Sequence, residues 1–202
     1  MSEFEQEIKE RLLTLSDKAK ILFGVLTFEK LYPHYVAFEN RNSRGSSAIL
    51  LEAQAVVYQH LINDELITTD EIKEMIKSID LITPDMDDFG EAISSFALNA
   101  CTSMLSTLDY ILSKNDDSIL EVCSYALDTV DMYIQEKEDM STTDPSREIQ
   151  IEYDDFMISE KNRQRKLLDK LSIVDLSHIS DNLINSLRDD SPIIDLSLLD
   201  KL

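Results

Sequence analysis

The sequence predicts an all-α fold, a compact bundle of about seven to eight helices with a short C-terminal extension. Three observations predict this class. The 202 residues include only 3 glycines and 4 prolines, whereas β-sandwiches and barrels need turn residues at short intervals. Apolar residues make up 43% of the chain and recur at helical spacing in most segments. Residues that cap helix N-termini precede several of these segments.

Several helices and one interruption are predicted in the first part of the chain. Ser16 is expected to cap a nearly all-apolar helix that follows a first amphipathic one. Pro33 is expected to begin a separate short helix, because proline suits a first helical turn. A polar loop then precedes a helix over 47–63, and Thr68 with Glu71 forms the capping-box signature of the next helix.

Three longer helices are predicted in the second part. A helix over 87–112 carries small residues on its apolar face, which favours a place at the centre of the bundle. Asn115 marks a turn and cap, and the helix that follows runs to about residue 139. Asp144 as cap and Pro145 in the first turn predict one continuous helix to about residue 171.

The last thirty residues differ from the rest of the chain in their residue pattern. Aliphatic residues alternate with serine and aspartate, and the segment after Pro192 is too apolar to stay in solvent. We therefore expect a helical domain over residues 1–172 and a tail over 173–202 that is helical or extended and packs on the bundle. Docking of this tail on another chain, which would make a homodimer, is the alternative.

Catalytic and metal-binding motifs do not stand out. The three histidines are far apart, the three glycines cannot form a phosphate-binding loop, and no Gly-x-Ser-x-Gly elbow exists. Cys101 and Cys123 lie in apolar helical stretches without a basic neighbour that would favour a thiolate, so both are expected to be buried and unreactive. The sequence therefore predicts no catalytic residue, no cofactor and no metal.

Negative charge is concentrated in the middle of the chain. The formal net charge is −21, and residues 51–140 hold 20 acidic and only 4 basic side chains. Such a field repels nucleic-acid phosphates and anionic lipid, and it attracts a basic protein. Simple solubility is the alternative explanation of this charge. The acids expected to form a partner-binding face are Asp85, Asp87, Asp88, Glu121, Asp128, Asp131, Glu136 and Glu138.

The one basic cluster in the chain lies near the end of the last long predicted helix. It consists of Lys161, Arg163, Arg165, Lys166 and Lys170. Cations at this position complement the helix dipole, and we expect them to pair with acids of the preceding helix. No segment approaches the roughly 18 apolar residues of a membrane span, and the N-terminus is acidic, so a cytoplasmic protein is expected.

Three stretches of the chain resemble the YjaG-like family of uncharacterised bacterial proteins. The first is the Tyr-Pro-x-Tyr-x-x-Phe block over 32–38, the second is Ala100 with Cys101 in the long central helix, and the third surrounds residues 152–156. The resemblance covers roughly residues 4–172. It implies a compact all-α bacterial domain and carries over no catalytic residue, so the aromatic residues of the first block are expected to be structural.

These observations lead to one main hypothesis and two alternatives. The main hypothesis is a non-enzymatic protein whose acidic surface binds a basic protein, in its sharpest form an immunity protein that covers the nucleic-acid site of a bacterial toxin. The first alternative is an enzyme or metal-binding bundle that uses scattered aspartates and glutamates. The second is a homodimeric scaffold assembled through the C-terminal tail.

Overall fold

Helices make up the regular secondary structure throughout the described part of the chain. The computed structural model describes residues 2–63, 67–85, 92–141, 144–189 and 191–199. It contains no strand in these ranges, which confirms the all-α class. The described helices are α1 (Glu3–Leu13), α2 (Asp17–Asn42), α3 (Ser47–Asn63), α4 (Thr69–Ile82), α5 (Ala92–Ser113), α6 (Asp116–Lys137), α7 (Arg147–Glu152), α8 (Asp155–Ile173), α9 (Asp181–Leu187) and α10 (Leu196–Leu199).

Three of the predicted caps begin the helices that they were expected to begin. Ser16 Oγ accepts a hydrogen bond from the backbone of Ala19, at 3.3 Å, in the first turn of α2. Thr68 and Glu71 satisfy each other's backbone N–H groups at the start of α4. Asn115 likewise caps α6. Short-range hydrogen bonding thus determines these boundaries, as the sequence indicated.

The expected helix break at Pro33 is wrong, because α2 continues through this residue to Asn42. Proline in a helix interior removes one backbone hydrogen bond and is unfavourable by about 3 kcal/mol. Leu31 before the proline and Tyr35 and Phe38 after it are all buried in the same core. Burial on both sides of the proline outweighs the lost bond, and a single 26-residue helix results.

The single helix predicted from Pro145 to about residue 171 is also wrong. Its predicted start is wrong as well: Asp144 accepts a hydrogen bond from Ser146 N, at 2.8 Å, but Asp144 and Pro145 both precede the helix, whose N-cap is Ser146. That helix is only the six-residue α7. The chain leaves helical geometry at Tyr153, and Asp154 caps a new helix by accepting from Phe156 N at 2.8 Å. A cap inside the expected helix therefore divides it into α7 and α8.

The core of the bundle is built around α2 and α5. Both helices are buried along most of their length, and α6 packs against both of them. Gly24 of α2 lies directly against Thr107 of α5, where a Cβ atom would stand only 2.6 Å from Thr107 Oγ1. The absence of a side chain at position 24 therefore allows the two helices to approach closely.

The C-terminal tail lies on α2. Ile193 N donates to Lys30 O at 3.0 Å, and the ring nitrogen Nε2 of His34 lies 3.1 Å from Ile194 O. Ile194 and Leu199 are buried. The apolar side chains of the tail thus contact the bundle of their own chain.

None of the helices that the structure describes combines the length and the apolar content that a membrane span requires.

Candidate functional site: an acidic groove beside α6

A groove of about 330 Å³ runs between α6, the start of α1, and the α7–α8 segment. Its apolar lining comes from Leu127, Ile151 and Met157. Its rim carries charged groups from all four helices. Small-molecule pockets commonly begin at about this size, and the groove is wide enough for long side chains of a partner.

Helical spacing explains why α6 supplies one wall. Each of Ser124, Leu127, Asp128 and Asp131 lies three or four residues from two others of the set, so they share one side of the helix. The opposite side of α6 is apolar and faces the core, with Val122, Cys123 and Val130 all buried among others. The amphipathic pattern of α6 therefore directs these two aspartates away from the core and into the groove.

The groove is strongly acidic. Two cations line it, Arg147 and Lys161, against five carboxylates. Lys161 forms an ion pair with Glu152 and is almost completely buried, so its charge is already compensated. The five carboxylates are Glu5, Asp128, Asp131, Glu148 and Glu152.

Asp128 shows the electrostatic consequence of this arrangement. Partial desolvation in the groove, together with the neighbouring charges of Asp131 and Glu5, raises the pKa of Asp128 above its ordinary value, although the residue as a whole is exposed. No cation in the described part of the chain forms an ion pair with Asp128, and the side chain of Asp131 accepts a hydrogen bond from the neutral amide of Gln135. A cationic group entering the groove would reduce this repulsion. The wall formed by α6 therefore favours a positively charged ligand.

Arg147 has an unusual position on the other wall. Its Nε atom is buried and has no hydrogen-bond partner among the residues that the structure describes. A buried donor without an acceptor costs about 1–3 kcal/mol. Arg147 lines the groove together with its carboxylates.

Two of the predicted partner-binding acids line the groove. Asp128 and Asp131 meet in the groove, whereas Glu121 lies outside it and accepts a hydrogen bond from Ser106 Oγ, at 3.0 Å. Asp85 lies beyond the end of α4.

Glu136 and Glu138 are not among the residues that line the groove either. Glu136 lies in the last turn of α6, and Glu138 is the residue after that helix and pairs with Lys137 at 2.7 Å. Asp87 and Asp88 lie outside the described residues.

Sequence reasoning missed the acids that face α6 across the groove. Glu5, Glu148 and Glu152 come from α1 and α7, which are separated from α6 along the chain. The Ser2-x-x-Glu5 capping box is readable and marks the start of α1. No local pattern indicates that this helix start packs beside α6, because that contact depends on the tertiary fold.

The basic cluster is mostly paired, but not with acids of α6. Lys161 pairs with Glu152 of α7, and Arg163 pairs with Glu160 of its own helix at 2.6 Å. Arg165 forms a bidentate contact with Glu7 of α1, whose hydrogen bond lowers the pKa of that carboxyl. The expected pairing with the preceding long helix is therefore not seen among these three cations, and the aspartates of the groove keep their charge uncompensated by them.

The described residues hold no group of three or more histidines, cysteines, aspartates or glutamates arranged to bind a metal ion. Cys101 and Cys123 are buried and are not joined in a disulfide. Burial raises the pKa of the Cys101 thiol to about 12 and raises that of Cys123 as well. The thiols therefore lack the low pKa of catalytic cysteines.

Comparison with known proteins identifies a family and a fold. No curated protein matches the chain. The chain is similar to the crystal structure of a DUF416 family protein from Shewanella baltica OS155, with a TM-score of 0.78 and 22% sequence identity. The alignment covers 100% of this chain and 95% of that one, so the two share their whole fold.

A family model described as "Protein of unknown function (DUF416)" matches residues 7–197, which includes most of the C-terminal tail. The match spans nearly the entire chain, and the structural similarity covers the same helices. The chain therefore belongs to the DUF416 family, a family of unknown function.

Proposed function

We propose that this protein binds a basic protein partner, and that the acidic groove between α6, α1 and the α7–α8 segment receives arginine or lysine side chains of that partner. The observation that carries the proposal is the meeting of five carboxylates with only two cations around one groove. The proposal assigns no catalytic residue, cofactor or metal to the protein. A relationship of this chain to the YjaG-like proteins is likewise proposed.

Charge and shape both support a protein as the ligand. Carboxylates hold arginine through paired hydrogen bonds, and the concentrated negative charge accelerates the approach of a basic surface. Ile149 and Tyr153 of the adjoining α7 region are large apolar side chains that stay mostly exposed. Tyrosine is enriched in protein interfaces, and apolar contacts beside a charged groove would stabilise a docked complex.

The sharpest form of the proposal is an immunity protein that covers the basic nucleic-acid site of a toxin. A toxin that binds nucleic acid presents lysines and arginines arranged to neutralise phosphates. A protein with a formal net charge of −21 and an acidic groove offers carboxylates to the same cations. Occupying that basic surface would block access of the nucleic acid.

A peptide titration tests whether the groove receives basic side chains. The purified protein is titrated with an octa-arginine peptide and followed by amide NMR shifts at about 0.15 M salt. We expect the shifts to concentrate around residues 124–131 and 147–152. Shifts spread evenly over the acidic surface would show that the peptide responds to net charge alone and would overturn the role of the groove.

A matched pair of variants sharpens this test. The double substitution Asp128→Asn and Asp131→Asn removes two charges from the groove. The control, Glu10→Gln and Glu52→Gln, removes two exposed charges elsewhere, and Glu10 accepts from a neighbouring glutamine as Asp131 does. We expect the groove variant to weaken peptide binding about tenfold and the control less than about twofold. Equal losses would contradict the proposal.

Coexpression tests the immunity function. The chain is expressed with the product of an adjacent gene that stops growth when it is expressed alone. We expect the wild type and the Glu10/Glu52 control to restore growth, and the Asp128/Asp131 variant to restore it less. The association rate of the purified pair should fall steeply as salt rises. A neighbouring toxin that is neither bound nor neutralised would overturn the immunity function and leave the peptide result standing.

A further inference from the structure

A second pocket, on the other side of α8, has the opposite charge. It has a volume of about 310 Å³ and lies between α2, α8 and the segment that leads into the tail. Four cations line it, Lys30, Arg163, Lys166 and Lys170, and among the described residues Asp189 is the one acid in the lining. This concentration of positive charge is unexpected in a chain with a formal net charge of −21.

One face of α8 builds the pocket wall. Each of Ser159, Asn162, Arg163, Lys166 and Lys170 lies three or four residues from another member of the set, so their side chains share one side of the helix. The face combines a hydroxyl, an amide and three cations. Such a row of donors can surround an anionic group from several directions.

The cations differ in how fully they are already paired. Lys30 is nearly buried and its Nζ is satisfied by the backbone oxygen of Asp189 at 3.0 Å, by its carboxylate at 3.1 Å and by Ser191 Oγ at 3.1 Å. Arg163 uses Nε and Nη2 to hold Glu160, which leaves Nη1 for another acceptor. Their carboxylate partners hold these two side chains in place at the pocket wall.

The two exposed lysines of the pocket form no ion pair with a carboxylate of the described residues. Lys170 Nζ makes one long contact, 3.4 Å, with Ser186 O. Lys166 forms no ion pair or hydrogen bond with any residue that the structure describes. Among the residues that the structure describes here, counting Glu160 and Asp189 against the four cations leaves a local formal charge of +2. This value complements a phosphate dianion.

The rest of the lining indicates an organic ligand rather than a bare ion. Leu26, Leu167 and Leu187 add apolar side chains to the lining beside its donors. Pockets that hold small molecules combine such an apolar lining with a few convergent polar groups, and they begin at about 300 Å³. We propose that this pocket binds a small organic phosphate, with the phosphate held by Arg163, Lys166 and Lys170 and the organic part against the leucines.

The excess negative charge elsewhere does not prevent this binding. At physiological salt, charges farther than about 8 Å are largely screened, so the nearby cations dominate the potential in the pocket. The site is separate from the acidic groove and involves none of its carboxylates. The fate of one proposal therefore does not decide the other.

A titration with three probes tests the ligand class. Phenyl phosphate offers a phosphate and an apolar ring, benzoate keeps the ring with a carboxylate, and inorganic phosphate lacks the ring. We expect saturable binding of phenyl phosphate at about 0.15 M salt, followed by amide NMR shifts over residues 159–170 and 187–191, with the other two probes at least about tenfold weaker. No saturation by about 10 mM phenyl phosphate, or equal binding of benzoate, would overturn the proposal.

Paired lysine variants provide the matched control. The double substitution Lys166→Gln and Lys170→Gln removes two exposed charges four residues apart on α8. The control, Lys73→Gln and Lys77→Gln, removes two exposed lysines with the same spacing on α4. We expect at least about tenfold weaker phenyl phosphate binding for the α8 variant and an unchanged dissociation constant for the control. An equal effect of both variants, or wild-type shifts outside the pocket, would contradict the site.

Discussion

Lys30 of the central helix and Asp189 of the tail form an ion pair, with Nζ and Oδ1 3.1 Å apart. The two partners differ in their surroundings, because 4% of the Lys30 side chain and 56% of the Asp189 side chain is exposed. Burial opposes ionisation of Asp189, but hydrogen bonds from Ser191 and Lys30 outweigh it and hold the pKa of the carboxyl at about 2. The pair connects the tail to the core through one buried ammonium.

The unequal burial predicts unequal effects of substituting the two partners. Asp189→Ala leaves a buried ammonium without a counter-charge, and we expect a loss of about 3 kcal/mol in the free energy of unfolding. Lys30→Met leaves a carboxylate that solvent and Ser191 still stabilise, and the expected loss is about 1 kcal/mol. Urea unfolding of both variants measures the difference. A larger effect of Lys30→Met would show that the ammonium is not the sensitive partner.

His34 predicts how stability depends on pH. The imidazole is completely buried beside the edge of Phe96, and burial lowers its pKa to about 4, although contacts with the carbonyls of Leu31 and Ile194 oppose the shift. The unfolded chain binds a proton near pH 6.5, whereas the native state resists protonation until about pH 4. Stability is therefore expected to fall as the pH decreases through this window, by about 2 kcal/mol between pH 7 and pH 5.

A glutamine at position 34 isolates this contribution. His34→Gln keeps a donor and an acceptor but does not titrate, and all other groups titrate in both proteins. The difference in unfolding free energy between wild type and variant should therefore shrink by about 2 kcal/mol from pH 7 to pH 5. Urea unfolding at several pH values gives this difference. A difference that stays constant with pH would mean that the native state accepts the proton as readily as the unfolded chain does.

The fold was predictable where local chemistry determines it. Caps at Ser16, at Thr68 with Glu71 and at Asn115 depend on residues three apart or fewer, and the structure confirms all three. The predicted helix break at Pro33 was wrong because the effect of this proline depends on how much surface the flanking turns bury in the assembled core. The local sequence does not contain that information. The prediction of one continuous helix across residue 154 was wrong because the cap formed by Asp154 competes with an otherwise unbroken helical pattern.

The candidate sites were predictable only in part. Helical phase correctly directs Asp128 and Asp131 away from the core, since that depends on α6 alone. Their companion Glu5 comes from a helix more than a hundred residues away along the chain. In the same way, Lys166 and Lys170 appear in the sequence as part of one basic cluster, and only the fold separates them from Arg165, which contacts Glu7.

Gly24 predicts a steric limit between α2 and α5. An alanine Cβ there would lie 2.6 Å from Thr107 Oγ1 and 3.3 Å from Ile119 Cδ1, inside a core without free space. We expect Gly24→Ala to destabilise the protein by about 1–3 kcal/mol, even though alanine favours helices. Thermal or urea unfolding of the variant measures this loss.

A second substitution distinguishes a clash from a general intolerance of alanine. Thr107→Ala removes both atoms nearest to the new Cβ, so Gly24→Ala should cost less in the Thr107→Ala background than in the wild type. A double-mutant cycle should show a favourable coupling of about 1 kcal/mol or more. Strictly additive effects would locate the cost of Gly24→Ala somewhere other than the contact with Thr107.

The burial of the two cysteines predicts that iodoacetamide modifies them only when the protein unfolds. Both thiols are completely buried, and Cys123 Sγ donates to Gln164 Oε1 at 2.7 Å in the interface between α6 and α8. Burial raises the pKa of both thiols, and that of Cys101 to about 12, so the thiolate that reacts with iodoacetamide is scarce at pH 8. We expect no adduct in the native protein over minutes and two adducts in denaturant, as counted by mass spectrometry.

Fast modification of either cysteine in the native protein would mean that its helix opens readily or that its thiol is activated. Such a result would add a thiol-based enzyme to the possible functions. Slow modification that keeps pace with global unfolding would instead place both residues among the core side chains that hold α5 and α6 in the bundle.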